Sequence, residues 1–239
     1  MASELLIEDV RWCLRRLPCE VLATLKERRL FLAGGFIRAC IAQEPVSDID
    51  LFAPSKDAAE AAARALAGKD HHFLATDNAF TVYGFGKLPV QFIHRWTFER
   101  AEDILPSFDF TVARACVWHE VAGWKSLCDE RFYCDLAAKR IVYCCPLRNE
   151  DAGGSMLRVL KFYQKGYRIP LDSLGRVVAR LVAGIRFDHT GNSEEAIAMV
   201  VTGLLHEVDP LIDPTHASHL PATRGEQALE GAADALPAK

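Results

Sequence analysis

The segment Ser47-Asp-Ile-Asp-Leu-Phe52 constrains the fold of this chain more than any other. Successive side chains of a β-strand point to opposite faces, so Asp48 and Asp50 share one face while Ile49 and Leu51 share the other. The apolar residues make this a buried strand, where a carboxylate without a partner costs several kcal/mol. Two adjacent negative charges call for a cation between them. Mg²⁺ takes carboxylates together with substrate phosphates and water. A solvated pair of aspartates on an edge strand is the plainer alternative. Just upstream, Phe31-Leu-Ala-Gly-Gly-Phe-Ile-Arg38 puts the Gly34-Gly35 turn between a short strand and a helix. Glycine lets backbone amides approach a phosphate closely, and the start of the following helix adds partial positive charge. Arg38, one turn into that helix, reaches toward the same phosphates as a charge-assisted donor. A tight strand-to-helix turn without a ligand would look the same in isolation. The aspartate pair downstream tips the balance toward chemistry on a nucleoside triphosphate.

The rest of the chain sets limits. Its 239 residues suffice for one large domain or two small ones. Lys and Arg number 28 against 32 Asp and Glu, a net charge of −4, so there is no global basic field to hold nucleic acid and any such contact needs a local patch. No apolar run approaches the ~20 residues of a membrane span. Ser3 to Leu17 mixes charged and apolar residues as an amphipathic helix does and does not read as a signal peptide, so a cytoplasmic location is expected. The eight cysteines form no C-x-x-C pair. They read as reduced thiols, and the spacings from Cys128 to Cys145 match no zinc template.

Along the chain, helices are expected over Ser3–Leu17, Glu20–Glu27, Phe36–Ala42, Lys56–Leu66 (closed by Gly68) and Thr97–Leu105 (ended by Pro106). Strands are expected over Leu30–Ala33, Asp48–Ala53, Ala79–Phe85, Pro89–Trp96 and Phe110–Val117, the third and fourth as a hairpin through Gly84 to Lys87. This alternation predicts an α/β or α+β domain. From Ser155 the spacing becomes helical, with further helices over Leu174–Phe187 and Ser193–His206. The expected division is a head at 1–148, a helical domain at 149–207 and a flexible tail at 208–239, where Pro210, Pro214 and Pro221 precede an Ala/Gly/Glu-rich end. His71, His72 and His94 have no metal-ligand context and read as structural. Tyr163 and Tyr167, one helical turn apart, suit core packing better than base stacking.

The run as a whole resembles the nucleotidyltransferase superfamily that includes DNA polymerase beta. More narrowly it is similar to the head and neck domains of tRNA CCA-adding enzymes and bacterial poly(A) polymerases. Gly34, Gly35, Ile37 and Arg38 fit that family's Gly-Gly-x-Val-Arg-Asp turn, with Ala39 in place of the aspartate, and Asp48 and Asp50 fit its Asp-x-Asp. Asp109-Phe110-Thr111 keeps the core of an Arg-Arg-Asp-Phe-Thr motif whose arginines are lost. Glu150-Asp151 and Met156 to Lys161 resemble a neck-helix pattern. The resemblance implies a head with a short mixed sheet flanked by helices, then a small helical domain. It implies a metal-dependent transfer of a nucleotidyl group from a nucleoside triphosphate to a hydroxyl acceptor, with Mg²⁺ or Mn²⁺ on Asp48 and Asp50. The acceptor would be an RNA 3′ end (tRNA-like), a small molecule or a protein. Gly34, Gly35 and Arg38 would grip the phosphates, and Arg158 and Lys161 would face them. A third carboxylate is usual on a neighbouring strand, where this chain has Gln91. Asp109 would complete the catalytic set, or else cap the turn after Pro106. The missing carboxylate also allows a nucleotide- or RNA-binding module without turnover. The chain is short for the helical body and tail that hold tRNA in full-size CCA-adding enzymes, so tRNA CCA addition itself is not expected.

Overall fold

The structure is a computed structural model and describes residues 2–86, 88–144, 152–185 and 193–206. Its strands in chain order are β1 (Ala2–Ser3), β2 (Phe31–Ala33), β3 (Ile49–Phe52), β4 (His72–Ala75), β5 (Ala79–Tyr83), β6 (Val90–Ile93), β7 (Ala115–Glu120) and β8 (Gly123–Asp129). They form one eight-stranded sheet in the order β1-β8-β7-β2-β3-β6-β5-β4. All pairings are antiparallel except β3 with β6, which run parallel with Asp50 opposite Gln91 and Phe52 opposite Ile93. The helices are α1 (Ile7–Arg15), α2 (Cys19–Glu27), α3 (Gly35–Ile41), α4 (Lys56–Ala67), α5 (Ala101–Ile104), α6 (Phe132–Ala137), α7 (Ala152–Gln164), α8 (Leu171–Ala183) and α9 (Glu194–His206). The architecture is a mixed α/β fold with a helical C-terminal segment. No described helix is long and apolar enough to cross a membrane.

The pleat divides the sheet's side chains between two clusters. Leu32, Ile49, Leu51, Val90 and Phe92 face the larger core, which also takes in residues of α1 to α4. Phe31, Phe52 and Cys116 face the other side, where α5 and Leu105 cover them. That second cover is partial, and the row of β3 and β6 carrying Asp50 and Gln91 is left half-buried. Val159 and Phe162 of α7, with Tyr167 beyond it and Val177 of α8, belong to the same buried cluster as the sheet.

Local signals explain the elements that match expectation. Ala59, Ala62, Ala63 and Leu66 form the inner stripe of α4. The Ser55 hydroxyl accepts from the Ala58 amide at 3.1 Å to cap its start. Gly68, at φ 55°, ends it.

Other segments depart from expectation for identifiable reasons. The first helix begins at Ile7 instead of Ser3, because Ala2 and Ser3 pair with Asp129 and Cys128 at the sheet edge. Residues 97–100 are not helical. The Phe98 amide bonds the Ala53 carbonyl at 3.0 Å and the Phe98 ring packs edge-on to Phe52, which leaves only Ala101–Ile104 as α-helix. Pro106 lies inside the 3₁₀ turn Leu105–Ser107 that follows. Phe110 to Ala113 is no strand: Phe110 makes an isolated bridge to Tyr143, and Thr111–Ala113 forms a 3₁₀ turn held by the Thr111 hydroxyl on Asp135 at 2.7 Å. Strands β4 and β8 and helix α6 were not expected. The expected tail from 208 and the Glu150-Asp151 pair lie outside the described residues.

Candidate active site

The strand–turn–helix unit β2-Gly34-α3 and the start of β3 meet at one end of the sheet. Gly34 sits at φ 81°, and a Cβ there would lie 2.9 Å from the Phe108 ring, so both backbone and packing require glycine. A Cβ on Gly35 would meet nothing within 4 Å. Gly35 lines a cavity of ≈ 270 Å³ whose walls also include Arg38, Asp50, Phe108, Asp109, Arg158 and Lys161. Seven of the eight residues named from sequence are thus the turn itself or the cavity lining; Asp48 is not in the lining and lies just before β3, two residues ahead of Asp50.

Asp50 lies on the half-buried face of β3, and among the described residues nothing donates a hydrogen bond to its carboxyl or pairs with it. Burial first, and then the neighbouring negative charge of Asp48, push its pKa up to about 8. Asp48 accepts only from the adjacent Ser47 hydroxyl, at 2.8 Å. Across the cavity, α7 and the residue after it present Arg158, Lys161 and Lys165. Burial, and then the Arg158 charge, lower the pKa of Lys161; burial and then Arg38 lower that of Lys165, while Asp48 opposes both shifts. The two lysines therefore feel the carboxylate wall they face. Arg168 turns away: its guanidinium lies over the exposed Tyr163 ring, 4.6 Å from the centroid. Tyr167 is buried, as expected.

Arg38 is held on two sides. Its Nε lies 3.5 Å from Glu44, and its guanidinium lies over the Phe162 ring, 5.0 Å from the centroid. Glu44 in turn lies 3.8 Å from the Lys139 ammonium. Nothing in the loop Gln43-Glu44-Pro45 marks Glu44 in the sequence, because its partners come from α3 and from beyond α6.

Asp109 lines the cavity but is engaged by the protein. One carboxylate oxygen accepts from the Ser155 hydroxyl at 2.8 Å and from an Arg158 guanidinium nitrogen. Its main-chain oxygen accepts from the Cys144 amide at 2.7 Å. Phe110 packs on Tyr143 and Phe162, and Thr111 bonds Asp135. The Asp-Phe-Thr run thereby links the segment after α5 to α6 and α7. Burial alone would raise the Asp135 pKa, but hydrogen bonds from Thr111, Arg140 and Arg131 hold it below the usual carboxylate range.

The donors present suit a hard divalent cation. Asp48, Asp50 and the carbonyl of Gln91 are oxygen ligands, and the Asp50 carboxylate has no cation or donor of its own among the described residues. No group of three or more His, Cys, Asp or Glu able to hold a metal occurs among the described residues, so substrate oxygens and water would fill the remaining positions. The cysteines described are free thiols, and Cys145 lies outside the described residues.

Comparison with known proteins bears on the family and the fold. A family model described as Gad2, Gabija anti-defense 2 family protein, matches residues 4–139. No curated protein matches the chain. Among solved structures, the chain is similar to a Thermotoga maritima CCA-adding enzyme complexed with tRNA, at 16% identity and TM-score 0.56, over 86% of this chain and 51% of that one. It is similar to a CCA-adding enzyme in complex with ATP at 17% identity and TM-score 0.56, over 86% and 50% of the two chains. A tRNA-processing enzyme in an apo form matches at 15% identity and TM-score 0.51, over 98% and 65%. The chain spans about half the length of the first two structures. These likenesses show a nucleotidyltransferase-type fold.

Proposed function

This chain belongs to the Gabija anti-defense 2 family, and from its nucleotidyltransferase-type fold and the geometry of its cavity we propose that it is a metal-dependent nucleotidyltransferase. It takes a nucleoside triphosphate and passes the nucleotidyl group to a hydroxyl acceptor. A bond forms from the acceptor oxygen to the α-phosphorus as the α–β anhydride bond breaks and pyrophosphate leaves. The observation that carries this reading is Asp50: a half-buried carboxylate without a protein partner among the described residues, beside Asp48 and facing a cationic wall.

Asp48 and Asp50 would hold Mg²⁺ or Mn²⁺. The ion, when bound, lowers the pKa of the acceptor hydroxyl and neutralises charge on the departing pyrophosphate. The protein's own residues position the reactants. Gly35 leaves open the approach to the backbone of the turn. Arg38, fixed by Glu44 and the Phe162 ring, offers its fork to the triphosphate. Lys161 and Lys165 add positive charge on the opposite wall. Asp109 acts by orienting Arg158 and not as a metal ligand. The family name directs the activity against a defence called Gabija, so the acceptor is sought there: an RNA 3′ end, a small molecule or a protein side chain. The solved structures with tRNA and with ATP support RNA and nucleotide as the first candidates.

The test is transfer of α-labelled triphosphate into a mixture of RNA, small molecules and protein, with pyrophosphate release followed in parallel. Asp48→Ala and Asp50→Ala each lower transfer by at least about 100-fold while keeping the fold. Full activity in either variant removes the metal mechanism. Gln91 supports a second reading, a binding module that holds nucleotide without turnover. That reading predicts metal-dependent nucleotide binding with no pyrophosphate.

A further inference from the structure

We infer that the site takes one divalent cation, with Gln91 where a second would need a carboxylate and Lys161 and Lys165 supplying positive charge in its stead. The inference rests on the transfer reading above and concerns the same cavity. Its first observation is register. Strands β3 and β6 run parallel with Asp50 opposite Gln91, so the amide stands beside the carboxylate on the same face. An amide carbonyl donates a lone pair but no charge. Asp48 and Asp50 together balance one dication. In two-metal sites the ions lie about 3.5–4 Å apart. A second ion at that range would meet the repulsion of the first, and with the triphosphate oxygens already shared with that first ion it would have no further carboxylate to hold it.

The other acids near the cavity are committed elsewhere. Asp109 is 6% exposed and binds Ser155 and Arg158. Glu44 lies between Arg38 and Lys139. The positive charge that remains is on side chains. Lys161 and Lys165, one turn apart, both line the cavity and both sense Asp48. They stand where they can neutralise a bound triphosphate without a second ion.

The experiment counts protein-bound Mn²⁺ by equilibrium dialysis at saturating ATP analogue whose α–β bridge is methylene, with thermal melts confirming the fold. The expected count is one Mn²⁺ per wild-type complex and two for Gln91→Glu. The double variant Lys161→Ala/Lys165→Ala keeps one Mn²⁺ but binds the analogue about 10-fold or more weakly. Two Mn²⁺ per wild-type complex, or a folded Gln91→Glu still holding one, overturns the inference and leaves the transfer reading standing. The wild-type count decides the matter even if Gln91→Glu does not fold. Absence of both Mn²⁺ and analogue from the wild-type protein removes the transfer reading itself.

Discussion

Asp50 carries an electrostatic tension that its surroundings do not relieve. Its carboxyl, ordinarily near 3.8, is pushed up to about 8 in the folded protein, through burial and then through Asp48. Between those values the folded state binds a proton that the unfolded state has released. Stability from this group is therefore full below about pH 4 and is lost as pH rises toward about 8. Asp50→Asn removes the effect. In metal-free protein its melting temperature should exceed the wild type by a margin that grows from pH 5 to pH 8. Added Mn²⁺ should narrow the margin at pH 8. A margin that does not change with pH would contradict the assignment. Asp109, by contrast, is paired within the protein, with Ser155 and Arg158. Arg158→Ala leaves that buried carboxylate with only Ser155, and chemical denaturation should show a loss of about 2–4 kcal/mol. The nearness of Asp48 to Asp50 was legible in the sequence from their spacing, although β3 begins at Ile49 and Asp48 precedes it. The commitment of Asp109 was not, since Arg158 lies 49 residues away and the pairing exists only after α7 packs.

At the level of elements, the turn between β2 and α3 sets the geometry of the cavity. Gly34→Ala places a Cβ against Phe108 in a left-handed backbone, and should cost about 1–3 kcal/mol with loss of nucleotide binding. Gly35→Ala meets no such clash and should leave the melting temperature nearly unchanged. Any effect of Gly35→Ala on nucleotide affinity then reports on the cavity and not on folding. The sequence made this turn readable because glycine pairs between an apolar strand and a helix have few other uses. Elements whose form depends on distant partners were harder to read. Residues 97–100 carry a passable helical pattern, yet the Ala53 carbonyl and the Phe52 ring capture Phe98 in an extended chain. Strand β8 alternates weakly, with Gly123, Lys125 and Ser126 among its residues, and is strand because β7 offers it a complete ladder.

The molecule as a whole joins sheet and helical segment through aromatic packing. Phe162 contacts Phe110 and Tyr167 at ring separations of 5.7 and 5.2 Å, and it also lines the cavity beneath Arg38. If the cavity binds nucleotide, ligand and fold are thermodynamically linked. ATP with Mg²⁺ at about 100 times its dissociation constant should add about 2.7 kcal/mol and raise the melting temperature of the wild type. The double variant Asp48→Ala/Asp50→Ala should show no such rise. The alternation of strands and helices was enough to foresee a mixed sheet. The sharing of one core by sheet and α7 was not foreseeable, since the spacing of Val159 and Phe162 marks a buried face without saying what buries it.

Phe162 thereby plays two parts at once, as a plug in the interior and as part of the cavity wall. Swinging the helical segment away to admit a ligand would strip water-averse surface from the middle of the protein. If the cavity binds a triphosphate with this packing intact, discrimination among triphosphates falls to shape already present before any of them arrives.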